Sequence, residues 1–317
     1  MKRGPVGGSR FAHRRVLRIS RDAGSFAFVP LSLATFNLKD FFPQPGLDFA
    51  AKVAWTAAMI ARLDADVLGL QEVGPPESVD ALLASTPDYR SVVVGTPDAR
   101  GIRCAVLSRL PIVRSYVHTA ESLPFTVFQD GDPPPFGGRI PLRRGVVYGR
   151  VDAGAFGSVD VLVVHFKSRR AVPMKSASGA PLSPTTQREL GEGELRSMVW
   201  RASEALYVRG LVDEVFTAEP SARLAVIGDL NDVAGSTPVE LVRGNDCSTG
   251  ALSSCADRVA LDQRFSIRHD GGRMQIDHIL ASAPLFARLS AARFFNDELR
   301  EHAPLPSVEV VASSSSA

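Results

Sequence analysis

A short apolar run that ends at a glycine and a group of polar residues is the feature that most constrains the fold of this chain. Residues 224–227 are apolar and partly β-branched, and Gly228 follows them. Such a run is typical of a strand covered on both faces, so its sheet needs a layer of structure on either side. Asp229 and Asn231 come next; an aspartate suits a hard divalent cation, and an asparagine can donate to a phosphate oxygen. The same residues also fit an ordinary turn.

The composition is that of a soluble globular protein. The 317 residues are 45% hydrophobic and 22% charged, which favours neither a disordered nor a fibrous chain. With 36 basic and 34 acidic residues the formal net charge is +2, so an anionic substrate must be attracted by local basic residues. No apolar run approaches the 18 residues of a membrane span, and residues 1–21 contain no signal-peptide core. We therefore expect a cytoplasmic monomer.

The three cysteines do not form a metal or redox motif. Cys104, Cys247 and Cys255 include no CxxC pair, and their number is odd. One interpretation is three free thiols. The other is a disulfide between Cys247 and Cys255, which would require an oxidising compartment.

The hydrophobic pattern predicts many short strands and few helices. Residues 26–37 and 66–72 read as strands on either side of an amphipathic helix at 48–63, which makes a β-α-β opening. A long helix is predicted at 188–219, and a short one begins near Ser236. Further strands are predicted at residues 90–94, 105–108, 112–117, 146–151, 159–166, 264–268 and 274–281, and a last apolar stretch covers 307–311.

Two segments interrupt this pattern without dividing the chain. Residues 123–142 and 171–186 are rich in Pro, Gly or Ser, which predicts irregular excursions that can wall a cleft. No repeat and no interior linker is evident. We therefore expect one domain at residues 26–311, preceded by a flexible basic segment at 1–25 and followed by a disordered tail at 312–317.

Polar residues of catalytic type end five of the predicted strands. Sheets place such strand ends side by side in a crevice, so their coincidence indicates one active site. The residues are Asn37, Gln71 and Glu72, His165 and Lys167, Asp229 and Asn231, and Asp277 and His278.

In the order and spacing of these motifs the chain resembles the endonuclease/exonuclease/phosphatase superfamily, the deoxyribonuclease I-like proteins. The resemblance covers roughly residues 30–310. It implies an α/β (α+β) fold, a four-layer α/β sandwich of two packed mixed β-sheets flanked by helices. The active site would lie where the two sheets open.

The resemblance also implies roles for the strand-end residues. Glu72 would be the main carboxylate ligand of Mg²⁺, with Mn²⁺ as an alternative ion, and Asn37 would contact the metal or the substrate phosphate. Asp229 would orient or deprotonate the attacking water, and Asn231 would hold a phosphate oxygen. Because Lys39 stands where some relatives carry a second acidic ligand, one main metal is favoured over two.

Two basic residues are candidates for contacts with the phosphate. His165 matches relatives with a histidine on this strand, where a cationic imidazole can stabilise developing charge or protonate the leaving group. A core histidine is the alternative. Arg143 or Arg144, with Arg143 preferred, would clamp the phosphate, unless it is an ordinary surface arginine.

The C-terminal part departs from the family pattern. The expected Ser-Asp-His is absent, and Glu301 and His302 are the nearest match. In this alignment His302 contacts phosphate or assists the water, Asp277 orients His302, and Glu301 stands near the metal. Alternatively the final motif is missing and the site is impaired.

Together these residues predict a Mg²⁺-dependent hydrolase that cleaves a phosphoester by in-line attack of water. A nuclease-type phosphodiesterase is favoured, partly because a basic cluster could contact nucleic acid. Choline phospholipids, inositol phosphates and nucleotides are alternative substrates, and a non-catalytic phosphate- or protein-binding descendant of the fold is the alternative function. The basic cluster comprises Lys167, Arg169, Arg170 and Lys175.

Overall fold

The computed structural model describes residues 31–133, 139–244, 250–269, 272–297 and 308–313. The strands, in chain order, are β1 (Ser32–Phe41), β2 (Val67–Val73), β3 (Ser91–Val94), β4 (Arg103–Ser108), β5 (Ile112–His118), β6 (Val146–Asp152), β7 (Ser158–His165), β8 (Leu224–Asp229), β9 (Leu252–Ser254), β10 (Ile267–His269), β11 (Gly272–Met274), β12 (Asp277–Ser282), β13 (Leu289–Phe294) and β14 (Val308–Ser313). The helices are α1 (Phe49–Leu63), α2 (Pro76–Ser85), α3 (Gln187–Ala218), α4 (Thr237–Arg243) and α5 (Ala283–Phe286).

Two six-stranded mixed sheets form the centre of the molecule. The first has the order β13-β14-β1-β2-β4-β3, and the second has the order β5-β6-β7-β8-β12-β9. Strands β1 and β2 run parallel, as do β7 and β8, while the other neighbours are antiparallel. A separate hairpin joins β10 to β11.

The sheets pack face to face, and helices cover their outer faces. Val67 of the first sheet and Val163 and Ile227 of the second belong to one apolar cluster between the sheets. Helices α1 and α2 bury apolar side chains against the first sheet, and α3 and α4 do so against the second. A Cβ at Gly69 would lie 2.6 Å from Ile227 Cδ1, so the sheets meet there without room for a side chain. The predicted four-layer α/β sandwich is confirmed.

The β-α-β opening follows directly from local sequence signals. Asp48 caps α1, because its side chain accepts a hydrogen bond from the Ala51 amide at 3.0 Å. The helix ends at Asp64, which adopts a left-handed conformation with φ of 47°. The predicted helix at 48–63 and strand at 66–72 are therefore confirmed to within a residue.

Some elements differ from the sequence expectation. Helix α2 was not indicated because it begins at a Pro-Pro pair, although proline is compatible with a first helical turn. Strand β13 was missed because it is rich in small residues rather than β-branched ones. Strand β14 continues to Ser313, two residues beyond the predicted domain boundary at 311.

The fold brings the predicted catalytic strand ends to one edge. His165 at the end of β7 pairs with Asp229 at the end of β8, and Asp277 at the start of β12 pairs with Asp229 from the other side. Asn37 of β1 is in register with Gln71 of β2. The segments after β5 and after β7 leave the second sheet at the same edge, so both predicted excursions begin at the edge where β7 ends at His165.

Among the helices of the described residues, none is long and apolar enough to cross a membrane. Cys104 is a buried thiol, and burial raises its pKa to about 12. Cys247 lies outside the described residues, so its pairing with Cys255 stays a prediction.

Candidate active site

A single amide joins the two sheets at the site. Asn37 Nδ2 lies 3.0 Å from Asp229 Oδ2 and 3.3 Å from Glu72 Oε1. Asn37 and Glu72 belong to the first sheet and Asp229 to the second. The carboxylates of two sheets therefore face each other across one hydrogen-bond donor, where the sandwich opens.

Unusual backbone geometry shapes this edge. Lys39, Asp40, Glu72 and Asn231 have left-handed conformations, with φ of 46°, 49°, 57° and 52°. The pairing of β1 with β2 shifts register between residues 37 and 41, which is a bulge that ends regular pairing. The Asp40 amide then donates to Glu72 Oε2 at 2.9 Å. Strained backbone of this kind concentrates at functional sites, where the surrounding fold holds it in place.

Asp229 is poised to take up a proton. Burial raises its pKa to about 6, and the nearby charge of Glu72 acts in the same direction. Hydrogen bonds from the Asn231 amide at 2.8 Å and from Asn37 oppose the shift. A carboxyl group whose pKa lies near the working pH is suited to general base catalysis.

His165 lies over both carboxylates. Its Nε2 is 3.9 Å from Glu72 Oε1 and 3.8 Å from Asp229 Oδ2. Burial lowers the pKa of His165 well below its ordinary value, and the charge of Arg144 lowers it further. This environment favours the neutral ring and not the cationic imidazole that we expected. A neutral imidazole still offers one donor and one acceptor.

The two candidate arginines occupy different places. Arg143 stacks over the ring of Trp200, with its guanidinium carbon 5.3 Å from the ring centre. Arg144 is buried, forms a salt bridge of 3.2 Å with Asp98, and donates to the carbonyl oxygen of His165 at 3.0 Å. The structure therefore places Arg144 behind the catalytic strand. A phosphate contact by Arg143 stays a prediction.

Asn231 and Asp277 lie at the predicted edge. The Asn231 side-chain nitrogen donates to the Phe166 carbonyl at 3.0 Å, which leaves its Oδ1 for another partner. The Asp277 amide donates to Ser266 Oγ at 3.0 Å, and the Asp277 side chain is buried. Glu301 and His302 lie outside the described residues, so their roles stay predictions.

The predicted basic cluster is smaller than the sequence indicated. Lys167 is buried, and its ammonium group donates to the carbonyls of Ser168 at 2.7 Å and Arg170 at 2.8 Å. Burial lowers the pKa of Lys167 to about 8. This lysine therefore organises the loop after β7, and Arg169, Arg170 and Lys175 are the exposed members of the predicted cluster.

A buried polar network behind the site was not found from the sequence. Arg201 of α3 forms a salt bridge of 3.0 Å with Asp232, whose carbonyl lies 2.9 Å from His278 Nε2. Glu204, also on α3, accepts a hydrogen bond of 2.6 Å from the Lys167 amide, and burial raises its pKa to about 7. The only sequence signal for this network is that Arg201 and Glu204 lie within the apolar stripe of α3, where apolar residues are expected.

The oxygen donors at this edge fit a magnesium ion. Glu72, Asp229 and the Asn37 carbonyl, which accepts a hydrogen bond of 2.9 Å from the Lys39 amide, are hard oxygen donors. Among the described residues, neither carboxylate forms a salt bridge with a lysine or an arginine. No group of three or more His, Cys, Asp or Glu side chains is placed to hold a metal in the ranges that the structure describes. Mg²⁺ suits such a sparse site, since it is usually bound by one or two carboxylates together with waters and substrate phosphate.

Solved structures share this fold at low sequence identity. A mannosyl-6-phosphatase of Bacteroides thetaiotaomicron is 16% identical with a TM-score of 0.60, covering 90% of this chain and 100% of that one. A D. rerio TDP2 complexed with a single-strand DNA product is 14% identical with a TM-score of 0.58, covering 90% and 99%. A truncated Caenorhabditis elegans TDP2 is 15% identical with a TM-score of 0.57, covering 90% and 98%.

No curated protein matches the chain significantly. A model of the Endonuclease/Exonuclease/phosphatase family matches residues 34–298, a range that contains Asn37, Glu72, His165, Asp229 and Asp277. The match covers most of the domain and all of these strand ends, so the chain belongs to the Endonuclease/Exonuclease/phosphatase family.

Proposed function

We propose that this protein hydrolyses a phosphoester by in-line attack of water and depends on a divalent metal ion. The observation that carries the proposal is the convergence of Glu72, Asn37 and Asp229 from two sheets on one edge. Membership of the family supports phosphoester hydrolysis in general.

Glu72 and Asn37 would hold Mg²⁺, or Mn²⁺ in its place, and Glu301 is proposed as a further ligand. When bound, the ion would supply Lewis-acid polarisation of the phosphoryl oxygen and stabilise the charge that develops on the leaving oxygen. The hydrogen bond from Asp40 to Glu72 fixes one carboxylate oxygen and leaves the other facing the site.

Asp229 would accept the proton of the attacking water, for which its raised pKa is suited. Neutral His165 would donate a hydrogen bond from Nε2 to a substrate oxygen beside the carboxylates. Asn231 and Arg143 are proposed to contact the phosphate, while Asp277 would orient His302.

A nuclease-type phosphodiesterase is one form of this proposal. Exposed Arg169 and Arg170, together with Lys175, support contact with a polyanion. The D. rerio neighbour holds a single-strand DNA product, and the B. thetaiotaomicron neighbour is a sugar phosphatase, so both substrate types belong in the test.

The test follows hydrolysis of bis-4-nitrophenyl phosphate, plasmid DNA and mannose 6-phosphate with Mg²⁺, Mn²⁺ or EDTA. We expect Glu72→Gln and Asp229→Asn each to lower kcat at least about 100-fold, since each removes a group that acts on the reacting atoms. Glu77→Gln, an exposed acidic residue of α2, is the matched control.

Activity that persists in EDTA, or in Glu72→Gln, would contradict the metal mechanism. Absence of activity on every phosphoester, together with absence of Mg²⁺ binding by calorimetry, would favour the non-catalytic alternative.

A further inference from the structure

An apolar groove lies beside the proposed active site. It has a volume of about 730 Å³ and lies between the segment after β7 and the first turns of α3. Volumes of this size are typical of ligand pockets. Its apolar side chains are Pro173, Met174, Leu182, Pro184 and Leu190.

The groove is exposed although its side chains are large and apolar. Met174, Leu182 and Leu190 are 53%, 49% and 40% exposed. Single exposed apolar side chains are common on protein surfaces, but a group that lines one concave surface indicates a binding site.

Hydrogen bonds hold the wall of the groove in shape. The Leu182 amide donates to the Met174 carbonyl at 2.8 Å, and Lys175 pairs with Pro181, so these residues form a short hairpin. The Val172 amide donates to the carbonyl of Gly193, where a Cβ would lie 3.2 Å from Ala171 Cβ. The predicted irregular excursion at 171–186 is thus an ordered wall on α3.

A short segment connects the groove with the site. Arg170 lines the groove and is five residues after His165, which limits their separation to about 18 Å. The Phe166 amide donates to the Asp229 carbonyl at 3.0 Å at one end of this segment, and Lys167 holds the carbonyls of Ser168 and Arg170. The groove and the catalytic edge are therefore joined by one short, hydrogen-bonded segment.

The charges change along this surface. Arg169 and Arg170 are exposed in the segment that connects the catalytic edge with the groove, and among the described residues neither forms an ion pair. Glu189 accepts a hydrogen bond from Thr185 Oγ1 at 3.0 Å, and Glu192 lies 3.1 Å from Arg188 Nε. Glu189 and Glu192 line the groove together with its apolar side chains, and both carboxylates are engaged in these contacts.

This order matches an amphiphile with a phosphate head and an aliphatic tail. The arginines complement the negative phosphate, and Leu, Met and Pro side chains complement a flexible chain. Among the described residues, no Phe, Tyr or Trp lines the groove, whereas sites for single-stranded nucleic acid typically stack bases on aromatic rings.

We propose that the groove binds the aliphatic chain of the substrate, so that the phosphoester cleaved here is part of a phospholipid-like amphiphile. This inference rests on the proposed phosphoester hydrolysis and names its substrate class.

The test uses a series of 4-nitrophenyl alkyl phosphate diesters with methyl, butyl and octyl chains, kept below micelle-forming concentrations. Water attacks phosphorus, the bond to the nitrophenyl oxygen breaks, and nitrophenolate leaves with alkyl phosphate as the other product. We expect kcat/KM to rise up to about fourfold for each methylene that enters the groove, the equivalent of about 0.8 kcal/mol. Three buried methylenes would give a ratio of octyl to methyl of about 60.

The ratio of kcat/KM for the octyl ester to that for the methyl ester reports on binding in the groove, because a change in the catalytic residues affects both esters alike. We expect Leu182→Gln to lower this ratio about tenfold, because it places a polar group in the groove wall. Val113→Gln is the matched control, since Val113 is 59% exposed but lies on β5 at the end away from the site. Its ratio should equal that of the wild type.

Three results would each overturn the inference. The first is that the wild type hydrolyses the methyl ester but has an octyl-to-methyl ratio of kcat/KM near one. The second is an unchanged ratio in Leu182→Gln, and the third is a larger kcat/KM for plasmid DNA than for the octyl ester. If no ester is hydrolysed, the proposed function fails instead. Calorimetric titration with decyl phosphate then decides the groove separately, because the inference requires binding by the wild type and weaker binding by Leu182→Gln.

Discussion

The buried pair of Arg144 and Asp98 should be essential to the catalytic edge. Their side chains are 4% and 1% exposed, and Arg144 Nη2 lies 3.2 Å from Asp98 Oδ2. Arg144 Nη1 donates to the carbonyls of His165 at 3.0 Å and Phe166 at 3.2 Å. Since Asn231 also donates to Phe166, one guanidinium supports the backbone that carries two proposed site residues.

Arg144→Met tests this role because methionine keeps much of the volume and removes the charge. Breaking a buried ion pair costs about 3–5 kcal/mol, mainly because the remaining charge is left without a partner. Here Asp98 keeps hydrogen bonds from the amides of Arg100 at 2.8 Å and Ile102 at 3.1 Å, which favours the lower end of that range. A loss of about 3 kcal/mol corresponds to a fall in Tm of roughly 6–12 °C for a domain of this size.

Urea unfolding and calorimetry measure this loss, and Arg143→Met provides the control. Arg143 contributes one contact with Trp200, worth about 0.5–1 kcal/mol. In a double-mutant cycle, Arg144→Met with Asp98→Asn should lose less than the sum of the single losses. A loss below about 1 kcal/mol in Arg144→Met, or additive single losses, would refute the reasoning.

Three further predictions concern the site and its glycine. In EDTA, Asp229→Asn should raise the free energy of unfolding by up to about 3 kcal/mol at pH 8 and not at pH 4. The reason is that the pKa of Asp229 is about 6 in the folded protein and 3.8 ordinarily, so the wild type loses folding stability as pH rises through this interval. An equal gain in the variant at both pH values would contradict this. Mg²⁺ should raise the Tm of the wild type and leave that of Glu72→Gln unchanged, which calorimetry with and without Mg²⁺ measures; equal shifts would exclude Glu72 as a ligand. Gly228→Ala should cost about 3 kcal/mol or more in urea unfolding, because φ is 147° and a Cβ would lie 1.9 Å from the Val164 carbonyl oxygen. Gly101→Ala, with φ of 81° and open space, should cost only about 1–2 kcal/mol.

The sequence was sufficient to predict which strand ends meet. The runs that lead to Glu72, His165 and Asp229 are mainly apolar and buried, and each reaches its polar residue at or next to the end of the strand, so burial on both faces indicates where the strand ends. Once the ends share a sheet edge, their side chains must be neighbours. The same local signals, a capping Asp48 and a periodic apolar stripe, predicted α1.

The choice between Arg143 and Arg144 could not be made in this way. Strand β6 begins with Val146 and Val147, which are both buried because the two faces of the sheet are both covered. An alternation of apolar and polar residues along β6 would have shown towards which face of the sheet each arginine points. A strand that is buried on both faces has no such alternation. Only the packing of the two layers distinguishes the arginine over Trp200 from the arginine behind His165.

The bulge at residues 37–41 could not be predicted from the sequence either. Lys39 and Glu72 do not favour left-handed backbone, and an aspartate such as Asp40 adopts it only in a minority of cases, so residue type did not predict the conformation that orients Glu72. Tertiary contacts determine it: the Lys52 ammonium group donates to the Asp40 carbonyl at 3.0 Å, and the Asp40 amide donates to Glu72.

These features explain why the site should be less stable without its cation than with it. Left-handed residues cost of order 1–3 kcal/mol each, and the raised pKa of Asp229 shows that its buried charge is destabilised beside Glu72. The hydrogen bonds from Asn37 offset only part of this cost, since one amide is shared by two carboxylates. A divalent cation held at this edge would offset the repulsion between the carboxylates, so metal affinity should rise as pH increases to about 6, whereas the stability of the metal-free protein falls over the same interval.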